Sequence, residues 1–593
     1  MPSRCGRLPS SWSFLSRTVL VPVLATLLLL DGALGEVQTR PAGEQPQPRP
    51  NIILIMAEDL SAGLTGFEGH PLVRTPALDQ LARGSVFFAR CYTPTPQSDP
   101  SVATVLTGQY PRAHGVTTDG ENLSLTVDTF TGRLAAEGYA CGFAGEWNIS
   151  DKATAESGFG LTLLTGEQNR RDEAPPSTTR RADQDTTDVA TSQVDQALAF
   201  VDRAKSDPFF LWLRLGAPGD ADGYPPGLQA EYPPEKVPLP QTMTVDEKTQ
   251  PDKVKQSPAA QRFREWGHDQ QALREARSKH FARVAHVDSQ IGRLLQEIEK
   301  RGLRENTIVI FTSDHGTAIG EHGLIGEGPT FYDETARVPL LVRWPGQARA
   351  GGRVERVVSL VDLAPTVCAM VDIRPPILMN GHSLAPMLRD PESASSPDER
   401  FLEFHRQPEH RSSAPSAVVP GQVPPSGRTA HRHPAVPVQL PGRPLPPQPG
   451  ADTTAGVVHR LPGVNPAQPS DRRGNRPIPV SAPASNPSNS PDELEDSLAP
   501  GLAILLPSPT TAEAPGDEDS AVVPQPEPMR YYEFPVQGIV THQYKFIDYL
   551  DGRTTVLFDL KRDPNEITNL AGDLFYAQVV DVLRKRLEIW RTE

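Results

Sequence analysis

Two apolar runs in this chain end in acid-rich turns, and those turns carry the side chains best suited to chemistry. Asn51 to Met56 (NIILIM) is followed by Ala57-Glu58-Asp59, and Thr307 to Thr312 (TIVIFT) by Ser313-Asp314-His315-Gly316. If both runs are central strands, Glu58, Asp59, Asp314 and His315 converge on one spot. Clustered carboxylates need a cation, and an oxygen-rich set suits Ca2+ or Mg2+. The plainer reading of one acid after a strand is a turn or helix-capping residue. A third stretch, Ser98-Asp99-Pro100-Ser101-Val102-Ala103-Thr104-Val105-Leu106-Thr107-Gly108, offers Ser98 as a candidate nucleophile. Its Ser-x-Pro opening reads equally well as a helix start, with Ser or Asp capping and Pro in the first turn.

These residues need a scaffold, and the hydrophobic pattern supplies one. Buried-strand patterns recur at Tyr139 to Ala144, Phe209 to Leu215 and Val338 to Val342. Helical periodicity lies between them, at Pro76 to Phe88, Thr129 to Gly138, Val189 to Ala204 and His280 to Arg301. Apolar strands alternating with amphipathic helices predict an α/β fold with a mostly parallel central sheet flanked by helices. Ligands of such sheets bind beyond the carboxyl ends of the strands, where the acidic turns lie.

Composition bounds the rest. The chain has 593 residues and a net charge of −15. That charge argues against a nucleic-acid partner. Residues 1–35 read as a secretory signal: Arg4, Arg7 and Arg17, an apolar run from Thr18 to Leu30, then Ala33-Leu34-Gly35. The run is short for a membrane span, so no stable span is expected after cleavage. A secreted, periplasmic or cell-envelope location follows. Residues 36–50 read as a linker. Cys91, Cys141 and Cys368 would remain, allowing one disulfide at most. Residues 409–528 are Pro-rich and without periodicity, which predicts a disordered insert. Beyond it, Tyr544 to Tyr549, an Asp551-Gly552 turn and Thr555 to Leu560 predict a β-hairpin, and Val579 to Trp590 a closing helix. Residues 401–408 and 529–593 then form a small C-terminal antiparallel sheet with a helix, beside an α/β domain over 51–400.

The chain resembles the sulfatase family of the alkaline phosphatase-like superfamily. Ser98 to Gly108 is similar to the family signature: Cys or Ser, any residue, Pro, Ser, Arg, three residues, Leu or Met, Thr, Gly. Ser313 to Gly316, Gly320-Glu321-His322-Gly323-Leu324, Thr335-Ala336-Arg337-Val338-Pro339-Leu340 and Phe558 to Glu566 match other family motifs. The resemblance implies that Ser98 holds the place of the formylglycine nucleophile. It also implies that Glu58, Asp59 and Asp314 hold metal-ligand places. The family's remaining catalytic places are changed. Val102 replaces Arg, Glu146 and Asn148 replace the Lys and His of Lys-Trp-His, Gly219 replaces a His, and Glu327 replaces a Lys.

Sulfate-ester cleavage needs positive groups around the sulfate oxygens and an acid for the leaving alcohol. The substitutions therefore predict a family member that is inactive or strongly altered, with a glycan or small-molecule ester as partner. Two alternatives stand beside it. One is an active metal-dependent hydrolase of sulfuric or phosphoric esters using Ser98. The other is a secreted structural or adhesive protein acting through its Pro-rich insert.

Overall fold

In the computed structural model, residues 49–164, 188–204, 207–216, 224–225, 227–244, 250–393, 397–405 and 535–592 are described. The signal-like segment, most of the linker and the Pro-rich stretch lie outside them.

A nine-stranded sheet forms the main domain. Its strands are β1 (Asn51–Ala57), β2 (Val86–Tyr92), β3 (Ala140–Ala144), β4 (Thr162–Leu163), β5 (Phe209–Leu215) and β6 (Thr307–Ser313). A short hairpin, β7 (Ala318–Ile319) and β8 (Ile325–Gly326), stands apart from it. The sheet is completed by β9 (Arg337–Val338), β10 (Leu341–Arg343) and β11 (Arg353–Ser359). The order is β11-β2-β10-β6-β1-β5-β3-β4, with β9 paired to β2. β10 runs antiparallel to both its neighbours and β9 antiparallel to β2; the other pairs are parallel.

β1 is central and buried along its whole length, which is why its sequence is a continuous apolar run. Its side chains alternate between two cores. Ile52, Leu54 and Met56 pack on one face of the sheet, and Ile53, Ile55 and Ala57 on the other. Burying one such side chain is worth about 1.5–3 kcal/mol. The register of β1 with its neighbours then fixes the site. Ala57 pairs with Ser313 of β6 and with Leu215 of β5, so three strands end at one level.

Helices cover both faces. The helix α1 (Pro76–Arg83) stops at Gly84, so Val86, Phe87 and Phe88 enter β2 instead of extending the helix expected over 76–88. The helix α2 (Ser98–Thr107) has nine of its ten residues buried. It closes on Gly108 at φ 66°, whose N–H donates to the Thr104 carbonyl. A Cβ there would come within 3.0 Å of Met379 and 3.1 Å of Ala364, so the glycine is required twice over. The long helix α3 (Gln270–Lys300) buries Val284, Val287, Ile291, Leu294 and Ile298. It begins a full ten residues before His280, because Asp269 caps it by accepting from the Gln271 and Ala272 N–H groups.

The C-terminal part is a four-stranded antiparallel sheet of β12 (Glu399–Phe404), β13 (Val536–Thr541), β14 (Tyr544–Asp548) and β15 (Thr555–Asp559). The predicted hairpin is β14–β15, and β12 pairs with β13 across the long Pro-rich stretch of sequence. The closing helix α4 (Ala577–Thr592) buries Val580, Leu583, Leu587 and Trp590. Trp590 stacks on Phe401 at 4.7 Å. Lys545 of β14 is fully buried and reaches Asp333 at 2.7 Å and Glu566 at 2.6 Å, bolting this sheet to the main domain. Cys91, Cys141 and Cys368 are buried and unbridged. Among the described residues, no helix is long and apolar enough to cross a membrane.

Candidate active site

Because β1, β5 and β6 end level, the turns after β1 and β6 meet. Asp59 sits at φ 57° and donates its N–H to Asp314 Oδ1 at 3.2 Å. The Ser313 hydroxyl donates to the Ala57 carbonyl at 2.8 Å and accepts from the Leu60 N–H at 3.0 Å, stitching the two turns together. Gly316 is obligatory here: a Cβ would lie 2.1 Å from the Glu334 carbonyl oxygen. The four residues expected at this spot are therefore brought together.

Ser98 joins them from the first turn of α2. The helix cap is Gln97, with no side-chain hydrogen bond, so Ser98 does not cap the helix as its motif allows. Its hydroxyl instead donates to Asp314 Oδ2 at 3.2 Å and lies 3.1 Å from His315 Nε2. Free amides at the helix start are met by acids: Asp119 accepts from the Asp99 N–H at 2.9 Å. Asp99 in turn accepts from the Gly120 N–H at 2.8 Å. Ser101, the second serine of the signature, donates to the Asp314 carbonyl at 2.7 Å.

One residue at the centre was not singled out from the sequence. Arg214, in the otherwise apolar strand FFLWLRL, is 3% exposed. Its register partner is Met56, one residue before the end of β1. Its Nη2 donates to Asp314 Oδ2 at 3.1 Å and its Nη1 to the Glu146 carbonyl at 3.0 Å. Nε lies 2.9 Å from Glu58 Oε1. That last contact lacks hydrogen-bond alignment and is a charge pair only. The signal was available: a lone arginine inside a buried strand must have partners.

The electrostatics follow from this packing. Burial pushes Glu58 up to about 7 against the opposing pull of Arg214. Burial also pushes Asp59 up to about 6 against His315. Asp314, for which burial is outweighed by His315 and Arg214, is held below the usual carboxylate range. For His315, burial disfavours the charged ring, but Asp314 and Asp59, with help from Glu327, push its pKa up to about 9. The imidazolium so favoured donates Nδ1–H to the Gly316 carbonyl at 3.0 Å and Nε2–H to Ser98.

Of the substituted positions, Glu146 and Glu327 act on this core. Val102 is 2% exposed and packs in the apolar core on one face of the sheet, with no part in the cleft. Glu146 accepts from the Asn148 side-chain amide at 3.1 Å, so two of the changed positions are bonded to each other. Glu146 adds negative potential at Glu58, and Glu327 does so at Asp59. Gly219 lies outside the described residues. The later motifs are structural. Glu321 pairs with the Arg277 guanidinium, and His322 stacks on Tyr332 at 3.8 Å. Arg337 pairs with Asp333 at 2.6 Å, and Glu566 accepts from the Asp333 N–H at 2.7 Å.

With the site described, the comparisons with known proteins have a place. Residues 50–373 match the family model for sulfatase, and residues 528–593 match that for the N-sulphoglucosamine sulphohydrolase C-terminal region. The chain belongs to the sulfatase family. It is 27% identical to the N-acetylglucosamine-6-O-sulfatase of Bacteroides thetaiotaomicron, over 64% of this chain and 78% of that one. It is 30% identical to human arylsulfatase A, over 61% and 70%. Its fold is shared with BT4656 solved with its substrate D-glucosamine-2-N,6-O-disulfate (TM-score 0.62, 19% identity, 92% of this chain and 98% of that one). It is shared also with the phosphonate monoester hydrolase of Agrobacterium radiobacter (TM-score 0.60, 18% identity, 92% and 96%).

Sulfatases typically depend on a metal, so the fit of these residues to one is a direct question. A carboxylate offers about four lone-pair sites. Asp314 uses four: Oδ1 accepts from the Asp59 and His315 N–H groups, and Oδ2 from Ser98 and Arg214. Calcium requires about six to eight oxygens at about 2.3–2.6 Å. Among the described residues no group of three or more His, Cys, Asp or Glu is arranged to hold an ion. As placed, Glu58, Asp59, Asp314 and His315 do not fit a bare divalent cation.

Proposed function

We propose that this sulfatase-family chain does not hydrolyse sulfate esters and uses the cleft beyond its sheet to bind a neutral or cationic ligand. An unsulfated or amine-bearing glycan is the class that suits it. The observation carrying this reading is the reversal of charge at Glu146 and Glu327, places where the family resemblance implies lysines. A unit charge about 5 Å from another, at an effective dielectric near 20, is worth roughly 3 kcal/mol. Changing lysine to glutamate therefore turns an attraction for sulfate of that size into a repulsion of similar size. The relatives named above include an enzyme of N-acetylglucosamine-6-O-sulfate, which supports a glycan as the ligand class. The signal-like start of the sequence supports action outside the cytoplasm.

Calorimetric titration with glucosamine oligosaccharides tests the reading. The free-amine form is expected to bind at least about tenfold more tightly than the same oligosaccharide carrying sulfate, a difference of about 1.4 kcal/mol. Tighter binding of the sulfated form would overturn it.

A further inference from the structure

We propose that the Arg214 guanidinium is the resident cation of this site, standing where a divalent ion would otherwise balance Glu58 and Asp314. The inference concerns the same cleft, but it does not depend on the loss of hydrolysis, and it is read from metal binding instead of turnover.

Placement comes from the strand. Leu211, Leu213 and Leu215 of β5 face one core, and Phe210 and Trp212 face the other. Arg214 is the last residue on the Phe210–Trp212 face, and alternation sends its side chain toward the turn after β1. Two carboxylates and a carbonyl meet it there: Glu58 at 2.9 Å, Asp314 at 3.1 Å and the Glu146 carbonyl at 3.0 Å.

Burial makes the arrangement exclusive. Side-chain exposure is 3% for Arg214, 9% for Glu58 and 0% for Asp314. A buried guanidinium persists only where charges of opposite sign enclose it, and a buried carboxylate pair persists only with a cation between. Each satisfies the other. A divalent ion entering here would have to displace Arg214 from Asp314 and leave that guanidinium buried without its partner. Arg214 carries a single charge that cannot be chelated and is never deprotonated in proteins. The site is thus insensitive to the supply of metal.

The test uses the full chain. Purified protein is stripped with chelator, and elemental analysis, calcium titration and thermal unfolding are compared with and without CaCl2 or MgCl2. Substoichiometric metal, no calcium binding and an unchanged Tm are expected. An Arg214→Ala variant in chelator is expected to melt lower. Added calcium or magnesium should raise its Tm by roughly 2 °C or more, since Asp314 and Glu58 are then free to take an ion. One tightly held calcium per wild-type chain, with a Tm rise that chelator reverses, would overturn the proposal. That measurement needs no variant to fold. An Arg214→Ala variant that is destabilised yet gains nothing from either ion would equally contradict the replacement.

Discussion

The Ser98 hydroxyl lies 3.1 Å from His315 Nε2, and a protonated His315 is no base for it. A general base must present a free lone pair near the operating pH. His315 is held protonated to about 9 by Asp314 and Asp59, so its Nε2 carries the proton and donates it to Ser98. The Ser98 hydroxyl in turn donates a hydrogen bond to Asp314 Oδ2 at 3.2 Å. That orientation is the one a general base needs, but Asp314 is held below the usual carboxylate range and is a weak base for the serine.

On the function proposed above, Ser98 has a structural role only. Replacing it with alanine removes two hydrogen bonds in a part-buried site, each worth about 1 kcal/mol net. The Ser98→Ala variant should unfold at a slightly lower denaturant concentration, with ligand binding unchanged. A variant of wild-type stability would argue that these bonds are not made.

The site also sets a pH dependence of stability. The folded pKa of His315 is raised to about 9 from an ordinary 6.5, so its contribution is complete below about 6.5 and disappears as pH rises through about 9. Glu58 and Asp59 are raised too, to about 7 and about 6, and likewise favour folding at the acid side of those values. Asp314 is lowered and runs the other way, losing its contribution only in acid. Between pH 6.5 and 9 the unfolding free energy should fall by on the order of 3 kcal/mol. Urea melts across that range check this, and His315→Gln should flatten the slope.

Charge in the cleft can be restored independently of Ser98. The double substitution Glu146→Lys with Glu327→Lys replaces two repulsions for sulfate with two attractions. Affinity for a sulfated glycan should rise by about tenfold or more, a deliberately small share of the unscreened Coulomb change. Calorimetry reads the change, and no gain would mean that these two side chains do not face the ligand.

Lys545 ties the C-terminal sheet to the main domain through ion pairs with Asp333 and Glu566. Lys545→Met leaves the buried Glu566 without its cation, while the part-buried Asp333 keeps its pair with Arg337. Breaking a buried pair from one side costs about 3–5 kcal/mol, so the melt should shift by that amount. A shift near zero would show that Glu566 finds water or a proton without strain.

Much of this molecule is readable in its residues. Continuous apolar runs identified β1, β5 and β6, and the acids that follow β1 and β6 do converge, because parallel neighbours ending in register must bring their turns together. The strands β2 and β11, as long as β1, are not legible in the pattern. Val86-Phe87-Phe88 continued the helical pattern of Pro76 to Arg83, and Arg353 to Ser359 mixes exposed and buried positions without clean alternation. Arg214 was missed for a different reason. It sits within a run that reads as pure strand, and its meaning appears only once Glu58 and Asp314 are known to flank it. Val102 shows the converse: a residue at a chemical position of the signature that the fold uses for packing.

Turnover of an aryl sulfate and an aryl phosphate, measured for the wild-type chain against Ser98→Ala, tests the central claim most directly. The account predicts that both proteins give the same background rate with either ester. Hydrolysis by the wild-type chain clearly above the Ser98→Ala rate would contradict it and would make Ser98 a working nucleophile.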